Sequence, residues 1–206
     1  SIILSVVLLK FKMAKLYFHY SSMNAGKSTA LLQADHNYIE RGMKSLLFTA
    51  KLDDREGSGV ISSRIGIKKN AIPFSATDNL YEIIHDQHLI KQLGCILVDE
   101  AQFLNRHQVE ELTKTVDHLG IPVLTYGIRT DFKGEVFEGS KFLMAWADEI
   151  REIKTICHCG KKATMNARVS SSGVKETAGE QIEIGGNERY ISLCRKCFTN
   201  GETGGK

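Results

Sequence analysis

A segment at positions 21–29, Ser-Ser-Met-Asn-Ala-Gly-Lys-Ser-Thr, has the residue types that bind phosphate groups. An apolar and aromatic run at 16–20 precedes it, and a pattern typical of a helix follows it. In a strand–loop–helix unit of this kind, inward-turned backbone N–H groups and the positive end of the helix dipole hold an anion. Lys27 would reach the β- and γ-phosphates of a nucleotide, and the Ser28 hydroxyl would help to hold Mg²⁺. The predicted ATP- and phosphate-binding residues of this segment are Ser21, Ser22, Met23, Asn24, Ala25, Gly26, Lys27 and Ser28.

The segment departs from the usual phosphate-loop pattern at its first position. The pattern G-x-x-x-x-G-K-[ST] has a glycine where this chain has Ser21. Serine is small, so the loop can still close. The alternative is an ordinary strand-to-helix turn with a surface lysine, and the flanking strand and helix argue against it.

Two adjacent carboxylates, Asp99 and Glu100, follow a continuous apolar run at 94–98. An aspartate in this place holds Mg²⁺ beside a phosphate loop, directly or through water. The second carboxylate could take a proton from a hydroxyl or a water that attacks the γ-phosphate. For such a pair alone, a solvated strand end or a helix cap is an equally good interpretation. Combined with the loop at 21–29, the pair predicts a phosphoryl-transfer site.

Four of the five cysteines form two close pairs, one Cys-x-Cys and one Cys-x-x-Cys. Four thiolates suit tetrahedral Zn²⁺. The spacing of the first pair is tight, because residues i and i+2 point apart in an extended chain, and a turn at Gly160 could bring the two sulfurs together. His158 is an alternative ligand, and four thiols without metal are the other alternative. Cys95, alone in an apolar run, is interpreted as buried filler. The predicted ligands of a structural zinc ion are Cys157, Cys159, Cys194 and Cys197.

The elements that must position these residues alternate along the chain. Strands are predicted at 16–20, 45–50, 71–74, 94–98 and 121–126, helices at 28–41, 79–92, 105–118 and 140–148, and loops at 51–70 and 127–139. This alternation predicts an α/β fold of the phosphate-loop (RecA-like) type, with a mostly parallel sheet flanked by helices. Ligands of such sheets bind beyond the carboxyl ends of the strands, where both predicted site segments lie.

Composition restricts the domains and partners. With 206 residues, 42% of them hydrophobic, the chain fits a soluble globular protein with a main domain at 13–152 and a small cysteine-containing domain at 153–200. The chain is predicted to fray from Thr199 onwards, and residues 201–206 form its tail. The net charge is +3, and positive and negative residues are mixed along the chain. Because the sequence has no basic block, we predict no nucleic-acid partner. The apolar start is too short to span a bilayer and lacks signal-peptide features, so we predict a cytoplasmic protein and treat 1–12 as an extension upstream of Met13.

Several segments of the chain, in this order, resemble those of bacterial thymidine kinases of the zinc-containing type. The resemblance runs from Met13 to about Cys197, and the serine at position 21 resembles the bacterial members. The segments that carry it lie at 22–29, 53–55, 99–103, 126–132 and 185–190, together with the two cysteine pairs.

The resemblance implies transfer of the γ-phosphoryl group of ATP to the 5′-hydroxyl of thymidine, and also of deoxyuridine, giving dTMP and ADP in nucleotide salvage for DNA synthesis. The family's general base matches Glu100, and Asp99 and Gln102 match its phosphate site. Asp53 and Arg55 match a motif near the phosphates and Mg²⁺, where a guanidinium stabilises transferring charge. Without the resemblance, these last two would be interpreted as solvated charges of a polar loop.

The resemblance also implies a thymine pocket and a closing loop. Phe103, Phe132 and Phe137 match aromatic walls of the pocket, although plain core packing is the better interpretation for any single one of them. Gly186 and Tyr190 match the family's lasso loop, which closes over the nucleoside with main-chain hydrogen bonds; a simple hairpin turn is the alternative. The implied zinc would tie the base of this lasso together.

The resemblance further implies a homotetramer with feedback inhibition by the triphosphate end product.

Two other classes of function remain open on the sequence. An ATP-driven motor or switch should carry a basic or hydrophobic partner surface, which the sequence does not show. A zinc-ribbon binding module with a decayed nucleotide site should have lost the residues at 27–28 and 99–100, which are present.

Overall fold

The structure, a computed structural model, describes residues 14–51, 59–181 and 189–205. Every strand and helix predicted between residues 16 and 148 is confirmed, with ends that lie within two residues of the predicted ones. In chain order the elements are β1 (Leu16–Ser21), α1 (Lys27–Glu40), β2 (Lys44–Ala50), β3 (Val60–Ser62), β4 (Lys68–Asn70), β5 (Ile72–Phe74), α2 (Leu80–Ile90), β6 (Leu93–Val98), a 3₁₀ helix (Ala101–Phe103), α3 (Arg106–Leu119), β7 (Val123–Ile128), α4 (Glu138–Trp146), β8 (Glu149–Glu152), β9 (Thr155–Ile156), β10 (Lys162–Ala163), β11 (Met165–Arg168), β12 (Tyr190–Leu193) and α5 (Arg195–Asn200).

Six strands form the central sheet in the order β5-β2-β6-β7-β1-β8. Each neighbouring pair runs parallel, which confirms the predicted mostly parallel sheet. Because β6, β7 and β1 are neighbours, the segments that follow them meet at one edge of the sheet. The fold therefore brings the loop at 21–26 beside Asp99 and Glu100.

Strand β6 explains how the sheet is buried on both faces. Cys95 and Leu97 face the cluster that includes Leu31 and Leu32 of α1. The alternate residues Ile96 and Val98 face the larger cluster, to which α2, α3 and α4 contribute. Successive side chains of a strand point to opposite faces, so a strand covered on both sides is apolar at every position. This is the continuous run from which β6 was predicted.

Helix α3 shows how local sequence fixes the ends of the flanking helices. Asn105 and Gln108 form a reciprocal capping box at its start. Gly120 ends the helix in the left-handed conformation, with φ of 64°. Between these caps, Val109 and Leu112 are fully buried against the sheet.

Two regions of the sheet and its surroundings differ from the sequence prediction. The predicted loop at 51–70 is wrong in its second half, because β3 and β4 form an antiparallel hairpin there. The polar residues of β4, Lys-Lys-Asn, gave no strand signal. Strand β8 was also missed: it extends the sheet at its edge beside β1, and its charged sequence reflects that exposed position.

The C-terminal part consists of two antiparallel hairpins, β9–β10 and β11–β12, followed by α5. The tail predicted to fray from Thr199 is wrong for its first residues, because α5 runs to Asn200. Beyond it, the Glu202 N–H donates to the Cys197 carbonyl at 2.9 Å, and the Thr203 hydroxyl donates to the Gly173 carbonyl at 2.8 Å. In the described part of the chain, no helix is long and apolar enough to cross a membrane.

Candidate active site and cysteine cluster

The segment between β1 and α1 has the shape of an anion-binding loop. Asn24 and Gly26 adopt left-handed conformations, with φ of 63° and 83°. Gly26 has no side chain that could cap α1, so the N–H groups of the first helical turn are left for a ligand. The Lys27 ammonium is nearly buried and donates to Ser21 Oγ at 3.3 Å, across the mouth of the loop. The loop can thus close around an anion with serine at its first position.

Asp99 lies against the start of α1. The Ser28 hydroxyl donates to Asp99 Oδ2 at 3.1 Å, so the two residues predicted to hold Mg²⁺ are in direct contact. Burial, followed by the charge of the neighbouring Glu100, raises the pKa of Asp99 to about 7. Lys27 and Ser28 act in the opposite direction. A divalent cation at this carboxylate would favour its ionised form, because opposite charge lowers a carboxyl pKa.

Glu100 is held in an unusual backbone conformation next to Asp99. Its φ is 51°, a left-handed value that a residue with a side chain adopts only when its surroundings enforce it. The Gln102 side-chain amide donates to Glu100 Oε2, and Gln102 Oε1 accepts from the Ile128 N–H at 3.2 Å. A Cβ atom at Gly127 would come within 2.9 Å of Gln102 Oε1, so that position requires glycine. Gln102 therefore connects Glu100 to the end of β7.

Two buried hydroxyl groups beside this edge of the sheet stand out among the described residues. They are Ser22 Oγ, in the loop, and Thr130 Oγ1, after β7. Neither has a hydrogen-bond partner among the described residues. Buried polar groups are normally satisfied, and unsatisfied ones cluster where a ligand or water completes the bonding. Both hydroxyls are available to bond a ligand or a water molecule at this edge of the sheet.

The predicted aromatic walls lie in two places. Phe103 and Phe137 contact each other edge to face, with ring centroids 5.9 Å apart. Phe132 is buried beneath Arg168, whose guanidinium carbon lies 3.8 Å from the ring centroid. Tyr190 faces Arg168 across the β11–β12 pair, which brings it to the same side as Phe132.

Arg168 is a residue of this region that the sequence interpretation missed. Its guanidinium is buried and donates to Glu176 Oε2 at 2.6 Å, and to the carbonyls of Ala178 and Glu180 at 3.1 and 3.2 Å. The Gly179 position leaves no space for a side chain next to it. Arg168 thus fixes the segment at 176–180 over Phe132. A single arginine in a short strand carries no signal for such a role.

The four paired cysteines form one cluster. Their sulfur atoms all lie within 4.8 Å of one another, and Cys159 Sγ is 3.7 Å from Cys194 Sγ. The tight first pair is accommodated by a turn in which the Gly160 N–H donates to the Cys157 carbonyl at 2.8 Å, with φ of 82° at Gly160. This confirms the turn that the sequence required. The members of the cluster are Cys157, Cys159, Cys194 and Cys197.

The arrangement of the sulfurs fits a tetrahedral zinc ion. Zn–S distances of about 2.3 Å place the four sulfurs roughly 3.8 Å apart, which matches the observed cluster. The Cys197 N–H donates to the sulfur of Cys194 and lowers the pKa of that thiol to about 7, whereas burial raises the pKa of the Cys197 thiol. Within the cluster, the thiolate is therefore favoured at Cys194. His158 is not part of the cluster; its Nε2 lies 3.1 Å from the Glu202 carbonyl oxygen. The group that could hold a metal ion therefore consists of four sulfurs.

Three of the predicted site residues, Asp53, Arg55 and Gly186, lie outside the described residues. The other predicted site residues are all described. Most of them lie at the carboxyl ends of β1, β6 and β7. The exceptions are the four cysteines, Phe132 and Tyr190.

A parallel sheet with a phosphate-binding loop between its first strand and first helix defines the class of P-loop α/β proteins. The family model described as thymidine kinase matches residues 14–198 of this chain. The chain belongs to the thymidine kinase family, whose members are enzymes.

Individual relatives agree with this assignment. A thymidine kinase of Zymomonas mobilis subsp. mobilis is 61% identical over 186 residues, covering 90% of this chain and 96% of that protein. Thymidine kinases of Shewanella oneidensis and Legionella pneumophila (strain Lens) are 58% and 56% identical, and each match covers at least 90% of both chains. Among solved structures, the Pif1 helicase of Candida albicans superposes with a TM-score of 0.43 and 15% identity, covering 76% of this chain and 39% of that chain, which is too low to inform function.

Proposed function

We propose that this protein transfers the γ-phosphoryl group of ATP to the 5′-hydroxyl of thymidine, and also of deoxyuridine, giving dTMP and ADP for DNA synthesis. The observation that carries the proposal is the contact between Ser28 and Asp99 at 3.1 Å, with Lys27 and Glu100 adjoining it. This contact joins an anion-binding loop to a pair of carboxylates at one edge of the sheet. The names of the relatives supply the nucleoside.

In this proposal each group has one task in the transfer. The N–H groups of the loop, other than that of Met23, which donates to Asn166, hold the phosphates together with Lys27 and stabilise charge on the transferring group. Ser28 and Asp99 would hold Mg²⁺, which would supply positive charge to offset the charge of the phosphates. Glu100 accepts the proton of the 5′-hydroxyl as the bond to phosphorus forms, and Gln102 orients Glu100.

The acceptor nucleoside is proposed to bind on the side of the aromatic residues. Phe103, Phe132 and Phe137 would wall the base, with Gly186 and Tyr190 contributing from the lasso. Asp53 and Arg55 would act near the phosphates. Arg168 supports this side, because it fixes both the Phe132 ring and the segment at 176–180.

The remaining parts of the proposal concern organisation. A kinase domain at 13–152 would carry the phosphate site, and a zinc-binding lasso domain at 153–200 would carry the cysteine cluster, followed by a tail at 201–206. We propose that a zinc ion bound here is structural, because the four sulfurs of the cluster would leave no open coordination position. A homotetramer in the cytoplasm completes the proposal, on the basis of the family resemblance.

The test of the function is a direct product assay. The protein is incubated with Mg·ATP and thymidine, and the nucleotides are separated. We expect dTMP and ADP in equal amounts. ADP without dTMP, or ATP hydrolysis stimulated by nucleic acid or protein, would favour a motor or switch and contradict the proposal. No turnover in metal-loaded, folded protein would favour a binding module.

Asp99→Asn should raise the Mg²⁺ requirement. The substitution keeps the shape but removes the charge that faces the metal beside Ser28. We expect the Mg²⁺ concentration for half-maximal activity to rise by about 10- to 100-fold, the usual range for changes around metal ligands. A Mg²⁺ titration at saturating ATP and thymidine measures this. An unchanged Mg²⁺ dependence would remove Asp99 from the metal site.

Cys194→Ser should lower the metal content from about one zinc ion per chain and destabilise residues 153–200 before the main sheet unfolds. A closed thiolate site contributes its binding free energy to folding, so loss of one ligand weakens the segment around it. Metal analysis and amide hydrogen exchange measure the two effects. Cys95→Ala is the matched control, because Cys95 lies in β6 away from the cluster and should keep the zinc. Unchanged metal content in Cys194→Ser would contradict the four-sulfur site.

A further inference from the structure

Both backbone polar groups of Met23, in the middle of the phosphate loop, are bonded to the β11–β12 hairpin. The Met23 N–H donates to Asn166 Oδ1 at 2.7 Å. The Met23 carbonyl accepts from the Ser192 hydroxyl. Asn166 and Ser192 are direct partners in the antiparallel register of β11 and β12, so both reach the loop from one position of the hairpin.

The orientation of the Asn166 amide is fixed by a second contact. Asn166 is 1% exposed, and its Nδ2 donates to the Thr130 carbonyl at 2.7 Å. With its oxygen bound to Met23 and its nitrogen bound to the segment after β7, the amide cannot be exchanged end for end without losing both bonds. A third bond runs from Asn24 Nδ2 to the Tyr190 carbonyl at 3.3 Å. The hairpin thus contacts the loop at two consecutive residues.

We propose that Asn166 and Ser192 are positioning residues of the phosphate loop, which set its N–H groups for the phosphates of the nucleotide. The proposal rests on the proposed function, in which the loop at 21–28 holds those phosphates. A loop whose dipoles are already oriented loses no reorganisation free energy when the anion binds. Asn24 adopts a left-handed conformation, which a residue other than glycine keeps only where its surroundings enforce it, and the hairpin contacts the loop at Asn24 and at Met23.

The contacts of Asn166 and Ser192 with Met23, here called the clamp, are connected to the cysteine cluster through the hairpin. Ser192 is two residues before Cys194, and β11 follows β10 of the other hairpin after one residue. The cluster fixes the end of the hairpin that holds Met23.

The decisive variant is Ser192→Ala, because Ser192 is half-buried and loses only a hydroxyl. The probe is Mg·ADP, titrated by calorimetry without any nucleoside. We expect its dissociation constant to rise about 3- to 10-fold, the usual effect of losing one neutral hydrogen bond. Asn166→Ala should raise it more than tenfold, because two bonds are lost and the Met23 N–H is left unpaired. Ser192→Thr, which keeps the hydroxyl, should restore the parent affinity.

Steady-state kinetics separate positioning from a general loss of stability. In Ser192→Ala, the KM for ATP should rise while the KM for thymidine stays within about twofold of the parent value. Ser170→Ala is a matched control, since Ser170 lies in the same part of the chain and, among the described residues, its hydroxyl bonds to Ser172 and Val174 nearby. It should leave the Mg·ADP dissociation constant unchanged.

The outcomes distinguish this inference from the function on which it rests. An unchanged Mg·ADP affinity in folded Ser192→Ala, with a parent protein that makes dTMP, would overturn the clamp alone. A parent protein that binds Mg·ADP without making dTMP would overturn the proposed function, and the affinity of Ser192→Ala would still decide the clamp. A parent protein that does not bind Mg·ADP would overturn both.

Discussion

Lys27→Ala is expected to reduce phosphoryl transfer by roughly 10²- to 10³-fold or more, the range for removing one group that stabilises transition-state charge. The lysine begins α1, is nearly buried and reaches across the loop to Ser21. A charge in such a partly desolvated place interacts more strongly with phosphate than one in water. Because the ammonium faces the loop and not the aromatic residues, thymidine should bind with nearly the parent affinity.

The measurement combines kinetics with calorimetric titration of thymidine. Lys15→Ala is the matched control, because Lys15 lies at the opposite end of β1 and pairs with Glu149 on the protein surface. It should keep full activity. Parent-level turnover by Lys27→Ala would exclude the phosphate-loop interpretation, whereas loss of thymidine binding together with activity would show that the substitution disturbs more than the phosphate site.

The two halves of the candidate site were predictable because each is a local pattern. Residues 21–29 contain the loop and the helix start together, and the apolar run at 94–98 leads directly to Asp99. Short parallel strands buried on both faces are continuous apolar runs, so their ends are visible in the sequence. The parallel sheet then brings the two patterns to one edge.

The contacts that position the site were not predictable, because they join residues far apart in the chain. Met23 and Asn166 are separated by 143 residues, and Met23 and Ser192 by 169. Nothing local distinguishes Asn166 or Ser192 from any polar residue of a short strand. The hairpin β3–β4 was missed for a related reason: its strands are three residues each, and β4 is entirely polar.

The cysteine cluster was predictable from the sequence only in part. The residue type and the pairing predicted the ligands, and the Cys-x-Cys spacing required a turn that Gly160 provides with a positive φ. Burial of three of the four cysteines by the surrounding small hairpins comes from packing that the spacing does not encode.

Glu100→Gln is expected to lower kcat by about 10²- to 10⁴-fold, the usual contribution of a general base. Glutamine keeps the size and shape of the side chain, and its amide oxygen can still accept the hydrogen bond from Gln102. It cannot take the proton of the 5′-hydroxyl. Because the proton moves only as the transition state forms, the binding of ATP and thymidine should change little.

The comparison of Glu100→Gln with Asp99→Asn identifies which carboxylate is the base. Asp99 contacts Ser28, so its variant should respond to Mg²⁺, whereas the Glu100 variant should stay slow at every Mg²⁺ concentration. Glu110→Gln is the matched control, because that side chain pairs with Arg106 along α3 and lies outside the site. If Glu100→Gln turns over at the parent rate, or if added Mg²⁺ restores its activity, the proton goes to another group and Glu100 is not the base.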